Sequence, residues 1–268
     1  MTNNKYLSRW DSSLQNNYGK PTITLVKGKG IIVTDADGKS YLDFLGGIAT
    51  SVLGHAHPVI VKAVTKQVST LSHISNFYAH PNAIELAEKL LSMAPVPMSR
   101  IWFASTGSEA IDCAARLSWY FWNALGQPEK KKFISHQLAY HGNTIASASL
   151  SGVIYAHEKF NLPLPGFLHV STPHFSRHAH PGETEDNYSD RLIADIEKLI
   201  HKEGAHTIAA FFVEPVMAAG GIVIPPARYY EQLQILLKKR DILLVCDEVV
   251  TAFGRTGKMF GSTTMQLQ

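Results

Sequence analysis

Cysteine is scarce in this sequence: only Cys113 and Cys246 occur among 268 residues. Two cysteines cannot form a disulfide framework, and both lie in apolar stretches typical of buried free thiols in a reducing compartment. The N-terminus lacks the apolar run of a signal peptide, and no segment approaches the roughly 18 apolar residues of a membrane span. The sequence therefore predicts a cytoplasmic protein that has no membrane partner.

The chain also has little excess charge of either sign. Its 25 Lys and Arg residues against 22 Asp and Glu residues give a net charge of +3. This balance provides no basic surface for nucleic acid, so no nucleic-acid partner is expected. Apolar residues make up 45% of the chain and charged residues 18%, which is typical of a globular protein and excludes a disordered one.

Two regions with different patterns divide the chain. Residues 1–57 predict a small N-terminal α+β segment, because residues 23–44 alternate apolar and polar side chains around an Asp37-Gly38 turn typical of a β-hairpin. Residues 58–268 predict a larger domain, in which helical and strand patterns alternate from residue 100 onward. Such alternation predicts the α/β class, with a mostly parallel sheet covered by helices on both faces.

The elements of this larger domain follow from periodicity and from helix start and stop signals. The predicted strands are residues 101–104, 132–135, 167–170, 208–213 and 242–246. The predicted helices are one that begins at Pro58, and residues 81–91, 108–125, 189–202 and 227–239.

Ligands of parallel α/β sheets bind at the carboxyl ends of the strands, so the residues after each strand are the candidate site. Residues 105–110 combine small hydroxylated side chains with a glycine at a helix start. The backbone N–H groups and the dipole of such a helix favour phosphate, although a plain N-cap uses the same residues.

Three further strand ends carry chemically useful groups. Tyr140 precedes His141 and Gly142 and either presents a flat face to a planar ligand or packs on the surface. Glu214 and Asp247 each follow an apolar strand, and a semi-buried carboxylate needs a cationic or hydrogen-bonding partner such as a protonated ring nitrogen. A phosphate site, a stacking aromatic and a carboxylate together match the needs of pyridoxal 5′-phosphate.

With these motifs in this order, the sequence resembles the class III (ω-amino-acid type) pyridoxal-phosphate aminotransferases. The matching segments are residues 35–43, 54–58, 105–110, 140–142, 213–215, 247–249 and 253–257. Residues 17–91, which include an Asn17-Tyr-Gly motif, look most like acetylornithine aminotransferases. Residues from 93 onward look more like pyruvate-coupled 4-aminobutyrate and ω-amino-acid aminotransferases. The resemblance implies a fold-type I large domain with a mostly parallel, seven-stranded-type sheet, and a homodimer with active sites between subunits.

The resemblance also implies how the cofactor is held. Thr106, Gly107 and Ser108 would bind its phosphate. Tyr140 would stack on the pyridine ring with His141 beside it.

The remaining implied roles concern the ring nitrogen and the substrate. Asp247 would pair with the protonated ring nitrogen, and Asp247 and Tyr140 would be the catalytic residues. Val249 would pack on the other face of the ring. Glu214 and Ile48 would lie near the substrate.

The implied activity is transfer of an amino group from an ω-amino acid or amine, such as 4-aminobutyrate, to pyruvate or 2-oxoglutarate. The alternative is an acetylornithine or ornithine aminotransferase of arginine metabolism. Asn143 replaces the arginine of that second group, while Ile48 replaces the aromatic residue usual in the first. The sequence leaves the exact donor and acceptor open.

The Schiff-base lysine of the family is expected roughly thirty residues after Asp247. Only 21 residues follow Asp247 in this chain of 268, and the one lysine among them, Lys258, directly follows the 253–257 loop, outside the lysine motif. We therefore expect a chain truncated at its C-terminus, which lacks the catalytic lysine and the C-terminal domain. An inactive pyridoxal-phosphate-binding fragment is a further alternative.

A metal hydrolase is the competing class of enzyme. His174, His178 and His180 lie within seven positions, a spacing that suits a metal. No cysteine or nearby strand-end carboxylate completes the set, and the surrounding segment is typical of a surface loop rich in proline, glycine and histidine. No metal site is predicted.

Overall fold

A computed structural model describes residues 1–16 and 19–267. Asn17 and Tyr18 of the motif quoted above lie outside the described residues. The chain divides into two compact units, Met1–His80 and Pro81–Gln268. Residue 57, where the sequence placed the end of the N-terminal segment, lies inside the first unit, and the division into functional domains stays a prediction.

The first unit contains a three-stranded antiparallel sheet in the order β1-β2-β3. Its elements are α1 (Asn3–Ser13), β1 (Leu25–Lys29), β2 (Ile32–Asp35), β3 (Ser40–Leu42), α2 (Gly46–Ala49) and α3 (Pro58–Thr70). Strands β2 and β3 pair Ile32 with Leu42 and Thr34 with Ser40, and Gly38 takes a φ of 86° in the turn between them. The predicted hairpin is therefore confirmed.

The second unit contains a four-stranded parallel sheet in the order β5-β4-β6-β7, which confirms the predicted parallel α/β architecture. The described residues form only four strands of the seven-stranded type that the resemblance implies. Its strands are β4 (Lys132–His136), β5 (Phe167–Val170), β6 (Ile208–Val213) and β7 (Leu243–Cys246). Its helices are α4 (Pro81–Met93), α5 (Gly107–Ala124), α6 (Ile145–Leu150), α7 (Phe175–His178), α8 (Glu185–Glu203), α9 (Tyr229–Lys239) and α10 (Gly261–Thr264).

The strand predicted at residues 101–104 is wrong. This segment is irregular, and it pairs with no strand among the described residues. Trp102 and Phe103 are 52% and 46% exposed. An apolar run suits a buried strand, but a strand forms only where a neighbour completes its ladder of hydrogen bonds, and composition does not supply that neighbour.

Helices cover both faces of the central strands. All six residues of β6 are buried. On one face, Phe211 and Val213 pack with buried residues of α8 and α9. On the other face, Phe133 and Phe212 pack with Trp122 and other residues of α5. Burial on both faces explains why β6 is a continuous apolar run without alternation.

One lysine is built into this core. Lys130 is 3% exposed, and its Nζ donates hydrogen bonds to the carbonyl oxygens of Asp241 (2.6 Å), Ala205 (3.2 Å) and Ile208 (3.3 Å). The ammonium also lies 4.3 Å from the centroid of the Trp122 ring. Burial lowers the pKa of Lys130 from its usual value. The side chain thus joins segments on both sides of β6.

We expect Lys130→Met to lower the free energy of unfolding by about 1–3 kcal/mol, because three carbonyl groups lose their buried donor. Urea denaturation of the full-length protein measures this loss. Lys131→Met is the matched control, since the side chain of Lys131 is exposed and its backbone bond to Thr207 is unaffected. Equal losses in the two variants would contradict the role assigned to Lys130.

Candidate active site

The N-terminus of α5 is both capped and open to an anion. The Thr106 hydroxyl accepts the Glu109 N–H at 3.1 Å, and the Glu109 carboxylate accepts the Ser105 N–H at 2.8 Å. The N-cap considered from sequence is therefore present. In the part of the chain that the structure describes, the N–H groups of Gly107 and Ser108 have no acceptor. At the start of an 18-residue helix, such groups favour an anion.

The turn at residues 140–143 lies directly against this helix N-terminus. The Ser108 hydroxyl accepts the Asn143 N–H at 3.1 Å and donates to Asn143 Oδ1 at 3.2 Å. Gly142 has a φ of 133°, and a Cβ there would lie 2.4 Å from Ser108 Oγ. Only glycine therefore permits this close approach. The first turn of α5 and the Tyr140-His141 turn are joined through Ser108.

Glu214 holds the same turn from the end of β6. Its carboxylate oxygens accept the N–H groups of Tyr140 at 3.0 Å and Ala218 at 3.1 Å. Burial raises the pKa of Glu214, and the nearby His141 and the two backbone hydrogen bonds oppose that rise. Both carboxylate oxygens thus bind backbone N–H groups, so the Glu214 side chain positions the turn that carries Tyr140.

Asp247 has the partner that its buried carboxylate requires. It directly follows β7 and is 7% exposed. Its Oδ2 lies 2.8 Å from His141 Nδ1, and its Oδ1 accepts the Val249 N–H at 3.0 Å. The sequence predicted that a cationic or hydrogen-bonding partner was needed, and His141 is one such partner. The Nε2 of His141 is buried and has no partner among the described residues.

Val249 closes the arrangement. A Cβ on Gly107 would lie 2.9 Å from Val249 Cγ2, so the loop after β7 packs against the first turn of α5. Helix α5 contacts the 140–143 turn through Ser108, the turn contacts Asp247 through His141, and Val249 contacts Gly107 of α5. These contacts therefore form a closed circuit. This closed circuit brings together eight of the nine candidate residues, which are Thr106, Gly107, Ser108, Tyr140, His141, Glu214, Asp247 and Val249.

The ninth candidate, Ile48, belongs to the first compact unit. It has a left-handed backbone with a φ of 58°, and it is 73% exposed. Its role toward the substrate stays a prediction.

Sequence reasoning missed the groups that hold the turn in place. The Ser151 hydroxyl accepts the His141 N–H at 2.8 Å, and Asp112 of α5 accepts the Ser147 N–H at the start of α6 at 2.9 Å. The only signal in the sequence is a serine at every second position from 147 to 151. This pattern does not predict which groups the serines bind or that they lie near the candidate site.

Two of the three histidines of the competing metal hypothesis lie next to each other in the structure. The rings of His174 and His178 lie 5.9 Å apart. Residues 1–16 and 19–267 contain no group of three or more side chains arranged to hold a metal ion. None of the helices in those ranges is long and apolar enough to cross a membrane.

Comparison with known proteins gives consistent results. Residues 13–268 match the family model of the class-III aminotransferases. The chain is 48% identical over 243 residues to gamma-aminobutyrate transaminase 1, mitochondrial, of Oryza sativa subsp. japonica, which covers 90% of this chain and 47% of that protein. It is 43% identical over 260 residues to the vanillin aminotransferase of Capsicum frutescens, covering 96% of this chain and 55% of that one.

A solved structure shares the fold. The omega transaminase of Pseudomonas jessenii in complex with PMP superposes with a TM-score of 0.94 at 45% identity, over 97% of this chain and 60% of that one. The chain thus spans about half the length of the curated relatives it matches. The family model, the relatives and the fold agree, and the chain belongs to the class-III aminotransferase family.

Proposed function

We propose that this chain binds pyridoxal 5′-phosphate and serves the transfer of an amino group from an ω-amino acid or amine to pyruvate or 2-oxoglutarate. The observation that carries the proposal is the closed circuit of contacts around α5, the 140–143 turn and Asp247. Relatives named as gamma-aminobutyrate, vanillin and omega transaminases support the same substrate class.

The phosphate end of the cofactor fits the first turn of α5. The N–H groups of Gly107 and Ser108 and the helix dipole are available to an anion. The Thr106 hydroxyl accepts from Glu109, which leaves its own proton free to donate. The Ser108 hydroxyl is engaged with Asn143, so its backbone N–H is the group that holds phosphate.

The pyridine-ring end of the cofactor fits Asp247 and the residues around it. Asp247 presents a buried negative charge, held in place by His141 and the Val249 N–H, to a protonated ring nitrogen. Tyr140 would stack on one face of the ring and Val249 would pack on the other. When bound, pyridoxal phosphate supplies an electron sink for the bond that is broken in amino transfer. Asp247 keeps the ring nitrogen protonated and so maintains that sink.

Asn143 favours an ω-amine over acetylornithine as the donor. It occupies the position at which acetylornithine-type enzymes carry an arginine, and its polar groups bind Ser108. It therefore adds no positive charge for a substrate carboxylate. A homodimer with active sites between subunits, and a cytoplasmic location, are further parts of this proposal, although some relatives are named as mitochondrial.

Amino transfer by the full-length protein tests this proposal. Purified protein with pyridoxal phosphate is incubated with 4-aminobutyrate or a benzylic amine and with pyruvate or 2-oxoglutarate. We expect alanine or glutamate to form from the ω-amine donors. N-acetylornithine is the comparison donor, and a preference for it would favour the acetylornithine alternative. Cofactor binding without any amino transfer would favour an inactive binding fragment.

A further inference from the structure

Three backbone N–H groups of the 140–143 turn are each held by a side chain from a different part of the fold. Tyr140 donates to Glu214 at the end of β6, and Asn143 donates to Ser108 of α5. His141 donates to the Ser151 hydroxyl at the C-terminus of α6, at 2.8 Å. Glu214 and Ser108 are among the candidate residues predicted from the sequence, and Ser151 is not.

Ser151 is built for this contact. Its side chain is fully buried, and its hydroxyl donates to the Ser147 carbonyl at 2.9 Å and lies 3.4 Å from the Gly142 carbonyl. The proton of the hydroxyl is thus directed into α6, which turns the oxygen lone pairs toward the His141 N–H. A buried N–H that lost this acceptor would carry the full cost of desolvation.

The hydrogen bond to Ser151 also affects Asp247, because His141 contacts both residues. The His141 ring is buried and bonds Asp247 Oδ2 through Nδ1 at 2.8 Å, while its Nε2 has no partner among the described residues. No second hydrogen bond to the ring therefore fixes its place. The ring also packs edge-on against Phe212, with the centroids 6.1 Å apart, and its backbone, which Ser151 holds, sets where the ring meets Asp247.

Resting on the proposed function, we propose that Ser151 is a positioning residue for the cofactor ring. Its hydroxyl fixes the His141 peptide, and through it the orientation of the Asp247 carboxylate and of the adjacent Tyr140. Ser151 touches neither the cofactor nor the substrate in this role. Removing the hydroxyl leaves the chemical groups of the site intact and displaces them.

The test compares Ser151→Ala with Ser149→Ala in the full-length protein. Ser149 is an equally buried serine of α6, whose hydroxyl donates to the Ile145 carbonyl and accepts the Leu164 N–H, away from the 140–143 turn. The measurements are the Kd for pyridoxal phosphate and the visible circular dichroism of the bound cofactor, which reports ring orientation. Urea denaturation shows whether the two variants have the same free energy of unfolding.

We expect Ser151→Ala to bind pyridoxal phosphate about tenfold more weakly and to change its visible dichroism, because the displaced Asp247 and Tyr140 would hold the ring less well. Ser149→Ala should keep both properties of the wild type. If Ser151→Ala does not fold, Ser151→Cys fills the space of the hydroxyl with a larger, weaker acceptor and should show the same change. Unchanged dichroism and affinity in the Ser151 variant would overturn this inference alone. A wild-type protein that does not bind pyridoxal phosphate would overturn the proposed function with it.

Discussion

Asp247→Asn is expected to reduce the turnover number of the full-length enzyme by a factor on the order of 10²–10³, the usual cost of removing one preorganised electrostatic group. The amide has the shape of the carboxylate, and its oxygen still accepts one hydrogen bond. It carries no negative charge for the ring nitrogen or for His141, which lies 2.8 Å away. Steady-state kinetics measure the loss, and urea denaturation shows that the variant remains folded.

Asp195→Asn is the matched control for this prediction. Asp195 lies on α8, and its carboxylate pairs with Lys198 on the exposed surface of the helix. Exposed pairs of this kind contribute little, so turnover should stay at the wild-type level. An Asp247→Asn enzyme that kept most of its turnover would show that Asp247 does not act on the cofactor ring.

Much of the sheet was predictable because its central strands are buried, all six residues of β6 and four of the five residues of β4, while β5 and β7 are partly buried. Strands β5 and β6 begin and end where the apolar runs at residues 167–170 and 208–213 do. The carboxyl ends of parallel strands share one edge, so Glu214 and Asp247 were expected near one another, and each now contacts the Tyr140-His141 turn. Periodicity and topology together thus predicted that these candidate residues lie close together.

The partners within the site were not predictable from the sequence. His141 and Asp247 are 106 positions apart, and Ser151 contacts His141 only because α6 folds back onto the turn. Helix α8 begins at Glu185, four residues before the predicted start. The sequence does carry signals of this helix start, because Thr184 accepts the Asn187 N–H as the N-cap and acidic residues follow it. The predicted start was too late because the apolar face of the helix begins several residues further on.

Gly142→Ala is expected to lower the free energy of unfolding by about 2–4 kcal/mol, which combines backbone strain with overpacking. The φ of 133° is rarely adopted by a residue with a side chain. The new Cβ would also lie 2.4 Å from Ser108 Oγ, 2.6 Å from Ser147 Oγ and 2.8 Å from Ser108 Cα. The last contact is with backbone, so rotation of the two serine side chains cannot relieve it.

The clash must therefore move the first turn of α5 away from the 140–143 turn. Because Gly107 and Ser108 provide the N–H groups for phosphate, affinity for pyridoxal phosphate should fall together with stability. Gly126→Ala separates the two causes, since Gly126 has a φ of 73° and a Cβ there would meet no described atom within 4 Å. That control should lose about 1–2 kcal/mol from backbone strain alone and keep its cofactor affinity. Urea denaturation measures the stability of both variants, and titration with pyridoxal phosphate measures their affinity. A Gly142→Ala protein that binds the cofactor as tightly as Gly126→Ala would contradict the close approach of the 140–143 turn to the first turn of α5.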